Sequence, residues 1–254
     1  MKFECNTDLF RLEYIESEIS RPILWESHCH AQYEMIAVAD GDVTVLLEGQ
    51  QYRLKKDQII IIPPLVYHSV KVNEIGSYHR ITALFDADAL PSVLRAEFEG
   101  QVRDAANADV QIQKLKKVCQ RKAPSFFAPL AQGLMTEIFY DTLQTQSLPI
   151  EIRTDEFIQK AVQYVEEHLG EKILLDQLAK HTSRSKSSFC HLFERKMNVS
   201  PKQYILQKKL AYAGKLISEG TPATVAALQV GYDNYSDFYR LYKKHFGTAP
   251  RKHK

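Results

Sequence analysis

The sequence has little cysteine and no long apolar run, and these two absences exclude several classes of protein. Its four cysteines, Cys5, Cys29, Cys119 and Cys190, never stand in C-x-x-C spacing, which argues against a zinc finger or a disulfide framework. No stretch approaches the roughly 18 apolar residues that a membrane span requires. The polar and acidic start MKFECNTDLF lacks the apolar core of a signal peptide. The sequence therefore predicts a protein of the reducing cytoplasm that makes no contact with a membrane.

Motifs of the common enzyme classes are missing as well. The chain contains no phosphate-binding glycine loop and no Ser/His/Asp or Cys/His arrangement of a nucleophile and its base. We therefore predict no catalytic residue and no enzyme activity. What the sequence does contain is enough apolar material for two cores, since 44% of its 254 residues are hydrophobic.

Charge is distributed unevenly along the chain. Residues 1–150 carry 15 Lys and Arg against 20 Asp and Glu, a net charge of −5, whereas residues 151–254 carry 18 against 11, a net charge of +7. A basic half joined to an acidic half indicates that one end of the protein meets a polyanion such as nucleic acid. Lysines that only make the surface of a helical domain soluble would give the same excess of positive charge.

Short strands dominate the first 87 residues. The segment VTVLLEGQQYRL alternates apolar and polar residues on both sides of Glu48-Gly49, which predicts a β-hairpin. Gln58–Ile62 has the pattern of a strand that ends at a pair of prolines, and apolar residues up to Leu84 predict further strands. This spacing of strands and turns predicts a sandwich or a barrel.

Helical patterns replace the strands after residue 87. Residues 96–122 and 129–146 are each predicted to form a helix, and Leu148-Pro149 marks a hinge. We expect residues 88–150 to form a helical linker that also makes a homodimer. A helix packed on its own barrel would carry the same apolar stripe as a dimer seam, so both readings stay open. The predicted seam consists of Phe126, Leu130, Leu134, Ile138 and Leu143.

An internal repeat organises the C-terminal segment. SSFCHLFERKMNVSP, which starts at Ser187, matches SDFYRLYKKHFGTAP, which starts at Ser236, at an offset of 49 residues. Apolar residues at i, i+3, i+4 and i+8 predict one buried helical face in each copy. Asn198 and Gly247, which occupy equivalent positions, are the residue types that best tolerate the left-handed end of a helix. Each copy therefore predicts a helix, its stop and a following turn.

A shorter helix precedes each copy of the repeat. ILLDQLAKHTSRS lies before the first copy, and TPATVAALQVGYDN lies before the second, where Thr221 can cap and Pro222 can open the helix. Between the copies, a long helix starts at the cap Ser200 with Pro201 behind it. The segment thus predicts two helix-turn-helix units joined by a linking helix.

The outward faces of the two repeated helices are rich in hydrogen-bond donors and poor in acids. Such faces suit the major groove of double-stranded DNA, where Arg reads guanine and lysines contact phosphates. Two helix faces that are merely exposed to solvent would have the same composition. The predicted DNA-binding residues are Arg184, Lys186, Ser187, Ser188, Cys190, His191, Arg195, Tyr235, Ser236, Tyr239, Arg240, Lys243 and Lys244.

These features resemble the DNA-binding domain of AraC/XylS-type regulators over residues 155–250. The sequence departs from the family pattern at Lys209, where Arg is usual, and at Ala226, where Ile is usual. The resemblance implies that the second helix of each unit enters a major groove. The matching residues include Leu178, Ala179, Phe189, Phe193, Ser200, Pro201, Tyr204, Leu210, Gly231, Phe238, Gly247 and Pro250.

A second resemblance lies near the N-terminus. HCHAQYE, followed by six residues and then Gly41, matches the first sequence motif of cupins. The segment from Pro63 to His68 fits the second motif, with Leu65 in the place of its glycine. The resemblance implies a cupin-like barrel, which in AraC-type regulators commonly senses a small molecule.

Four residues of these motifs are the candidate binding site of the barrel. Because residues an even number apart share one face of a strand, His28, His30 and Glu34 can point inward, where His68 joins them. Such a set can hold one divalent metal ion, Zn, Fe, Mn or Ni. It can equally bind an effector by hydrogen bonds or serve the structure alone. Trp25, the only tryptophan, can stack on an effector, although aromatic residues near strands more often fill a core.

Taken together, these patterns predict an α+β multidomain protein. A cupin-like effector-sensing barrel (1–87) and a helical linker (88–150) precede an all-α AraC-type DNA-binding domain (151–254). The predicted function is a ligand-responsive, sequence-specific transcription regulator, an activator that contacts RNA polymerase and senses a sugar-like polar metabolite. The alternatives are a metal-dependent cupin enzyme with an accessory DNA-binding domain and a metal-responsive regulator.

Overall fold

We divide the computed structural model into a β half, residues 1–152, and a helical half, residues 155–251. Within them it describes residues 1–7, 9–99, 102–105, 107–120, 124–144, 150–152 and 155–251, and of 124–128 and 150–152 the backbone alone. The hinge predicted at Leu148-Pro149 lies outside the described residues.

Two antiparallel sheets form the β half. One has the strand order β1-β2-β8-β3-β6-β9 and the other β10-β5-β4-β7. Apolar side chains of both sheets, including Ile36, Val45 and Leu54, form a common core, as the alternating patterns predicted. The strands are β1 (Lys2–Asn6), β2 (Phe10–Ile19), β3 (Tyr33–Asp40), β4 (Asp42–Leu47), β5 (Gln50–Lys55), β6 (Gln58–Ile62), β7 (His68–Val72), β8 (Gly76–Phe85), β9 (Arg103–Ala105) and β10 (Ile150–Ile152).

The hairpin predicted at Glu48-Gly49 is confirmed as the β4–β5 turn. Both turn residues have positive φ, 47° and 82°, which is the backbone of the two-residue turns that match the twist of antiparallel strands. The strand predicted over Gln58–Ile62 is confirmed as β6.

The single helix predicted over residues 96–122 is wrong. α1 (Arg95–Phe98) and α2 (Asp109–Gln120) are separated by β9, which pairs with β6 through Ile59, Ile60 and Ile61. This pairing gives hydrogen-bond partners to the backbone groups of β6 on the edge that β3 does not cover. The stabilisation from these long-range hydrogen bonds outweighs the local preference of the sequence for a helix. α3 (Pro124–Gln144) then follows as predicted for 129–146.

The apolar stripe of α3 packs inside the protein. Leu134 and Ile138 are 6% and 1% exposed and belong, with α2, to the core on the outer face of the six-stranded sheet, where Leu143 also packs. The seam proposed for a dimer is therefore wrong for these three residues, since they cover the protein's own sheet. Leu130 is exposed, and the side chain of Phe126 lies outside the description.

Six helices occupy the described part of the helical half, and their ends follow the predicted signals. The Ser200 hydroxyl accepts a hydrogen bond from the Gln203 amide, and Pro201 is the first residue of its helix. Asn198 and Gly247 end the repeated helices in left-handed conformation, with φ of 54° and 72°. The helices are α4 (Glu156–Glu167), α5 (Leu175–His181), α6 (Lys186–Met197), α7 (Pro201–Ser218), α8 (Ala223–Gln229) and α9 (Tyr235–Phe246).

One cap differs from its prediction. α8 begins at Ala223, so Pro222 stands at the cap position and no side chain caps this helix. In the described part of the chain, no helix combines the length and apolar character that crossing a membrane requires.

Candidate DNA-binding face and candidate effector cavity

The two helix-turn-helix units present similar surfaces. The first unit consists of α5 and α6, and the second of α8 and α9. Of the thirteen predicted DNA-binding side chains, twelve are exposed. The exception is Cys190, which is half-buried against the core of the first unit. The helical periodicity of the sequence therefore predicted which face of α6 and of α9 is exposed and which is packed.

Side-chain caps orient the exposed helix of each unit. The Ser185 hydroxyl accepts a hydrogen bond from the Ser188 amide at 3.3 Å, and the Asn234 side-chain oxygen accepts one from the Ser236 amide at 2.9 Å. Both caps were missed in the sequence, although Ser and Asn are preferred residue types at this position. The caps fix where each helix starts and therefore which side chains its first turn displays.

The two units differ in their turns. α6 and α9 align at an offset of 49 residues, whereas α5 and α8 align at 48, so the second turn is one residue longer. Ser183 and Gly231, which have φ of 57° and 79°, both follow the first helix by two residues. The extra residue thus lies after the left-handed position, and the duplication is not exact in three dimensions.

Two cations of the exposed faces lie near carboxylates of the same unit. The Lys186 ammonium is 2.8 Å from Asp176, and an Arg240 guanidinium nitrogen is 3.0 Å from Asp237. All four side chains are more than half exposed. Ion pairs of this kind contribute little in water, so a phosphate or a base can replace the carboxylate.

A cavity of about 400 Å³ lies between the two sheets of the β half. Residues of β2, β3 and β8 form one wall, and the segment before β3 together with β7 forms the other. Its lining includes Arg11, Glu13, Glu34, Ile36, Tyr78, Arg80, Thr82 and Leu84 on the first wall, and Trp25, Glu26, His28, His30, His68, Ser69 and Val70 on the second.

The four residues of the cupin-like motifs converge at one end of this cavity. A Glu34 carboxylate oxygen lies 2.9 Å from Nε2 of His68, 3.1 Å from Nε2 of His30 and 4.0 Å from Nε2 of His28. One ligand atom from each residue fits within 4.8 Å of all the others.

The convergence arises in a different way from the one predicted. His28 and His30 do not share a strand with Glu34, because β3 begins only at Tyr33. Instead, His28 and His68 exchange two backbone hydrogen bonds of 2.9 Å, which attaches the segment before β3 to β7. Sheet pairing between two distant segments therefore brings the histidines together.

Each histidine is oriented by a backbone carbonyl. Nδ1 of His28, His30 and His68 lies 3.2, 2.9 and 2.8 Å from the carbonyl oxygens of Glu26, Gln32 and Val66. A carbonyl can only accept, so Nδ1 of each ring carries a proton, and Nε2 of His30 or His68 can donate to the Glu34 carboxylate only when that ring is a doubly protonated imidazolium. In the neutral ring Nε2 offers a lone pair instead, which suits a metal cation. Histidine ligands of metals are commonly held in this manner.

The charges of the cluster are coupled. Burial alone would raise the pKa of Glu34, but hydrogen bonds from His30 and His68 outweigh it and hold that pKa well below its usual range. Burial would lower the pKa of His68, but its contact with Glu34 raises it overall. Removal from water lowers the pKa of His28 to about 4, although 47% of its side chain remains exposed. The carboxylate therefore stays ionised and needs a positive partner, either imidazolium or a metal cation.

Residues next to the histidines in the sequence face the helical half. Cys29 and Tyr67 are buried in one cluster with first-unit residues such as Phe189 and Phe193. The Tyr67 ring lies 5.1 Å from that of Tyr204 on α7. The same two segments thus carry cavity residues on one side and contacts to the DNA-binding half on the other.

A buried ion pair extends this contact. The Lys208 ammonium on α7 lies 2.9 Å from Glu48 in the β4–β5 turn and 2.8 Å from Glu166 on α4, and it donates to the Leu65 carbonyl. The Tyr204 hydroxyl donates to Glu48 at 2.8 Å. Sequence reasoning missed these contacts, because no local signal marks an interaction between segments about 150 residues apart.

Two family models match the chain. A model described as an AraC-like ligand binding domain matches residues 12–139, which is just over half of the chain. A model described as a helix-turn-helix domain matches residues 178–254. The first match contains the cavity lining except Arg11, and the second begins within α5 and contains the rest of both helix-turn-helix units.

Individual relatives are distant but extend along most of the chain. An uncharacterized HTH-type transcriptional regulator, YobQ, of Bacillus subtilis (strain 168) is 23% identical over 229 residues, which cover 90% of this chain and 88% of that protein. The melibiose operon regulatory protein of Escherichia coli (strain K12) is 19% identical and covers 94% and 87%. Among solved structures, ToxT from Vibrio cholerae O395 is 13% identical, with a TM-score of 0.44 and coverage of 96% of both chains.

Proposed function

The chain belongs to the AraC-type family of transcriptional regulators, and from this premise we propose that it binds specific promoter DNA under the control of a small polar effector. The helical half supplies the DNA contacts, and the cavity of the β half binds the effector. The observation that carries the proposal is that the basic half presents two helices of the same kind, α6 and α9. Each is capped, exposed and rich in hydrogen-bond donors.

The DNA proposal predicts a steep dependence of affinity on salt. If about 6–10 phosphates are contacted, log affinity should fall with log salt at a slope of about −5 to −9. Fluorescence anisotropy with DNA from upstream of the gene measures this slope, and scrambled DNA of the same length is the control. A slope near zero, or equal affinity for both DNAs, would refute sequence-specific binding.

For the effector, the cavity supports a small polar molecule. Its walls combine imidazole, carboxylate and guanidinium groups with the single tryptophan, and such convergent polar groups orient a ligand in a pocket. One relative carries the name of the melibiose operon, and melibiose is a sugar, which favours the sugar-like effector that we expected. Replacing His30 with Ala should blunt the effector response and leave effector-free DNA affinity intact, since coupling is a separate free energy.

A divalent metal is the second proposal for the histidine end. Three Nε2 atoms and one carboxylate oxygen, each oriented by its surroundings, fit the donor set that Zn, Fe, Mn or Ni takes. His28, His30, Glu34 and His68 would hold the ion, which would act as a Lewis acid toward an oxygen of the effector. The metal would then be part of the sensor or the signal itself.

Calorimetric titration with Zn²⁺ tests the metal proposal. We expect one equivalent to bind, and His30→Ala to lower the affinity by at least tenfold. His79→Ala is the matched control, because His79 contacts Ser77 and lies outside the cluster. If Zn²⁺ binds wild type and His30→Ala equally, the cluster is not the metal site.

We further propose that the protein activates transcription through RNA polymerase and acts as a homodimer. Activation rests on the family's commoner mode, and the dimer on the exposed part of α3 around Leu130. Deleting the gene should lower expression from a reporter that carries its target promoter. Analytical ultracentrifugation at micromolar concentration should show a dimer; a monomer with and without DNA would contradict it.

A further inference from the structure

We infer that the cavity binds an organic anion, and that Arg80, at the end formed by Trp25 and Tyr78, receives its carboxylate. This inference rests on the proposed effector function and names the chemical class of the effector. It depends on groups outside the His28, His30, Glu34 and His68 cluster.

Arg80 is held in place without a counterion. Its guanidinium carbon lies 4.7 Å from the centre of the Trp25 ring and 5.5 Å from that of Tyr78. Among the residues that the structure describes, no carboxylate forms a salt bridge with it. A half-buried guanidinium with five donors and no acidic partner is unusual, because buried charges are normally paired. Stacking on an aromatic ring leaves its in-plane donors free for a ligand.

The Tyr78 hydroxyl is a buried polar group beside it. Tyr78 is 1% exposed, and within the described chain its hydroxyl makes no hydrogen bond of regular geometry, although the Arg80 guanidinium interacts with it. Burial raises the pKa of this phenol, so it keeps its proton at neutral pH and can donate a hydrogen bond. Buried polar groups are rarely left without a partner, and those that are often mark a site completed by a ligand.

The other charges of the cavity are accounted for. Arg11 pairs with Glu13, and Glu34 pairs with histidines. Glu26 is exposed at the rim. Arg80 is therefore the unpaired cation inside the described lining, and a planar carboxylate matches its fork geometry with two parallel hydrogen bonds.

The position of Arg80 explains why a neutral sugar alone would leave the site incomplete. Tyr78, Arg80, Thr82 and Leu84 alternate along β8 and line the cavity opposite the histidines. A molecule with a carboxylate at Arg80 and hydroxyl groups toward His30 and Glu34 would satisfy both ends. Sugar acids and hydroxy acids have this chemistry.

Trp25 provides a direct test, because it is the only tryptophan and it contacts Arg80. We would titrate the full-length protein with acetate and follow Trp25 emission at constant ionic strength. Acetamide, which has the same shape without the charge, is the matched probe. We expect a saturable change with a dissociation constant of about 1–10 mM for acetate and none for acetamide.

Variants locate the binding group. Arg80→Gln should weaken acetate at least about tenfold, as expected when a charge-assisted hydrogen bond is lost. Arg80→Lys, which keeps the charge, should retain partial binding and covers the case that Arg80→Gln does not fold. Arg95→Gln, which changes an exposed arginine that pairs with Asp88 and lies outside the cavity lining, should bind like wild type.

No saturable change with acetate, an equal response to acetamide, or unchanged binding in Arg80→Gln would each overturn the inference. Such a result would not affect the proposed function if the wild type still binds its upstream DNA with the expected salt slope. Conversely, acetate binding without specific DNA binding would retain the anion site and refute the regulator.

Discussion

The two helix-turn-helix units share their local design and differ in what they pack against. Each has a capped exposed helix, a left-handed stop and a central phenylalanine, Phe189 or Phe238, that is fully buried. The core of the first unit includes Cys29 and Tyr67 of the β half. The core of the second unit, which contains Ala226, Ala227 and Phe238, has no member from the β half among the described residues.

This difference separates two roles for one repeated motif. The first unit is in direct contact with the backbone segments that carry the cavity histidines, so a change in the cavity can reach it through packed side chains. The second unit is stabilised by the linking helix α7, through residues such as Leu210 and Ile217. The end of α9 also contacts the β half, because Phe246 packs against the core that contains Cys29 and Tyr67 and His245 interacts with the Cys29 backbone. We therefore expect changes at the first unit to affect both halves, and changes in the core of the second unit around Ala226 and Phe238 to affect mainly the helical half.

The largest expected effect concerns the neighbouring lysines of α7. Lys208→Met removes the cation beside half-buried Glu48, which keeps hydrogen bonds from the Tyr67 amide and the Tyr204 hydroxyl, and should lower the free energy of unfolding by about 3 kcal/mol, the low end for a broken buried pair. Lys209→Met leaves only the carbonyls of Glu171 and Val230 without their donor and should cost about 1–3 kcal/mol. Urea unfolding measures both effects. Trp25 emission follows the unfolding of the β half, and far-UV circular dichroism follows the loss of the helices.

The pattern of the two probes is as informative as the size of the effect. Lys208→Met should shift both transitions, whereas Lys209→Met should shift mainly the circular dichroism signal. If Trp25 emission responds equally to the two variants, the contact between the halves does not distinguish the units in solution.

An intermediate effect is expected on the DNA-binding face of the second unit. Arg240→Ala should weaken binding to the specific site by about 1–3 kcal/mol and relax the preference at one base pair, because a bidentate contact to guanine is lost. Lys243→Ala should weaken specific and nonspecific DNA alike, since a phosphate contact carries no base identity. Anisotropy measurements on single-base variants of the site separate the two. A neutral Arg240→Ala would mean that another face of α9 enters the groove.

The smallest expected effect tests the similarity of the units. Ser185→Ala and Asn234→Ala each remove the acceptor at the start of an exposed helix and should each cost about 1 kcal/mol. Because a cap acts within its own turn, the two losses should agree despite the different surroundings. Thermal unfolding measures both, with Ser187→Ala as a control at an exposed position that makes no cap. Clearly unequal losses would show that packing on the β half alters even these local contacts.

Local signals in the sequence determined most of the helical half and part of the β half. The repeat at Ser187 and Ser236, the stops at Asn198 and Gly247, the cap at Ser200 and the hairpin at Glu48-Gly49 were all predictable. Caps, turns and helical periodicity act between residues a few positions apart. Such interactions leave their pattern in a short stretch of sequence.

Only the tertiary structure decided what lies together across the chain. β9 interrupts a helical pattern because β6 offered an edge to pair with. His28 and His68 meet through backbone pairing of two segments, and Arg80 reaches Trp25 across the cavity. Lys208 contacts Glu48 across a separation of 160 residues in the sequence. These contacts depend on the global arrangement of sheets and helices, and a single sequence carries no local pattern for them.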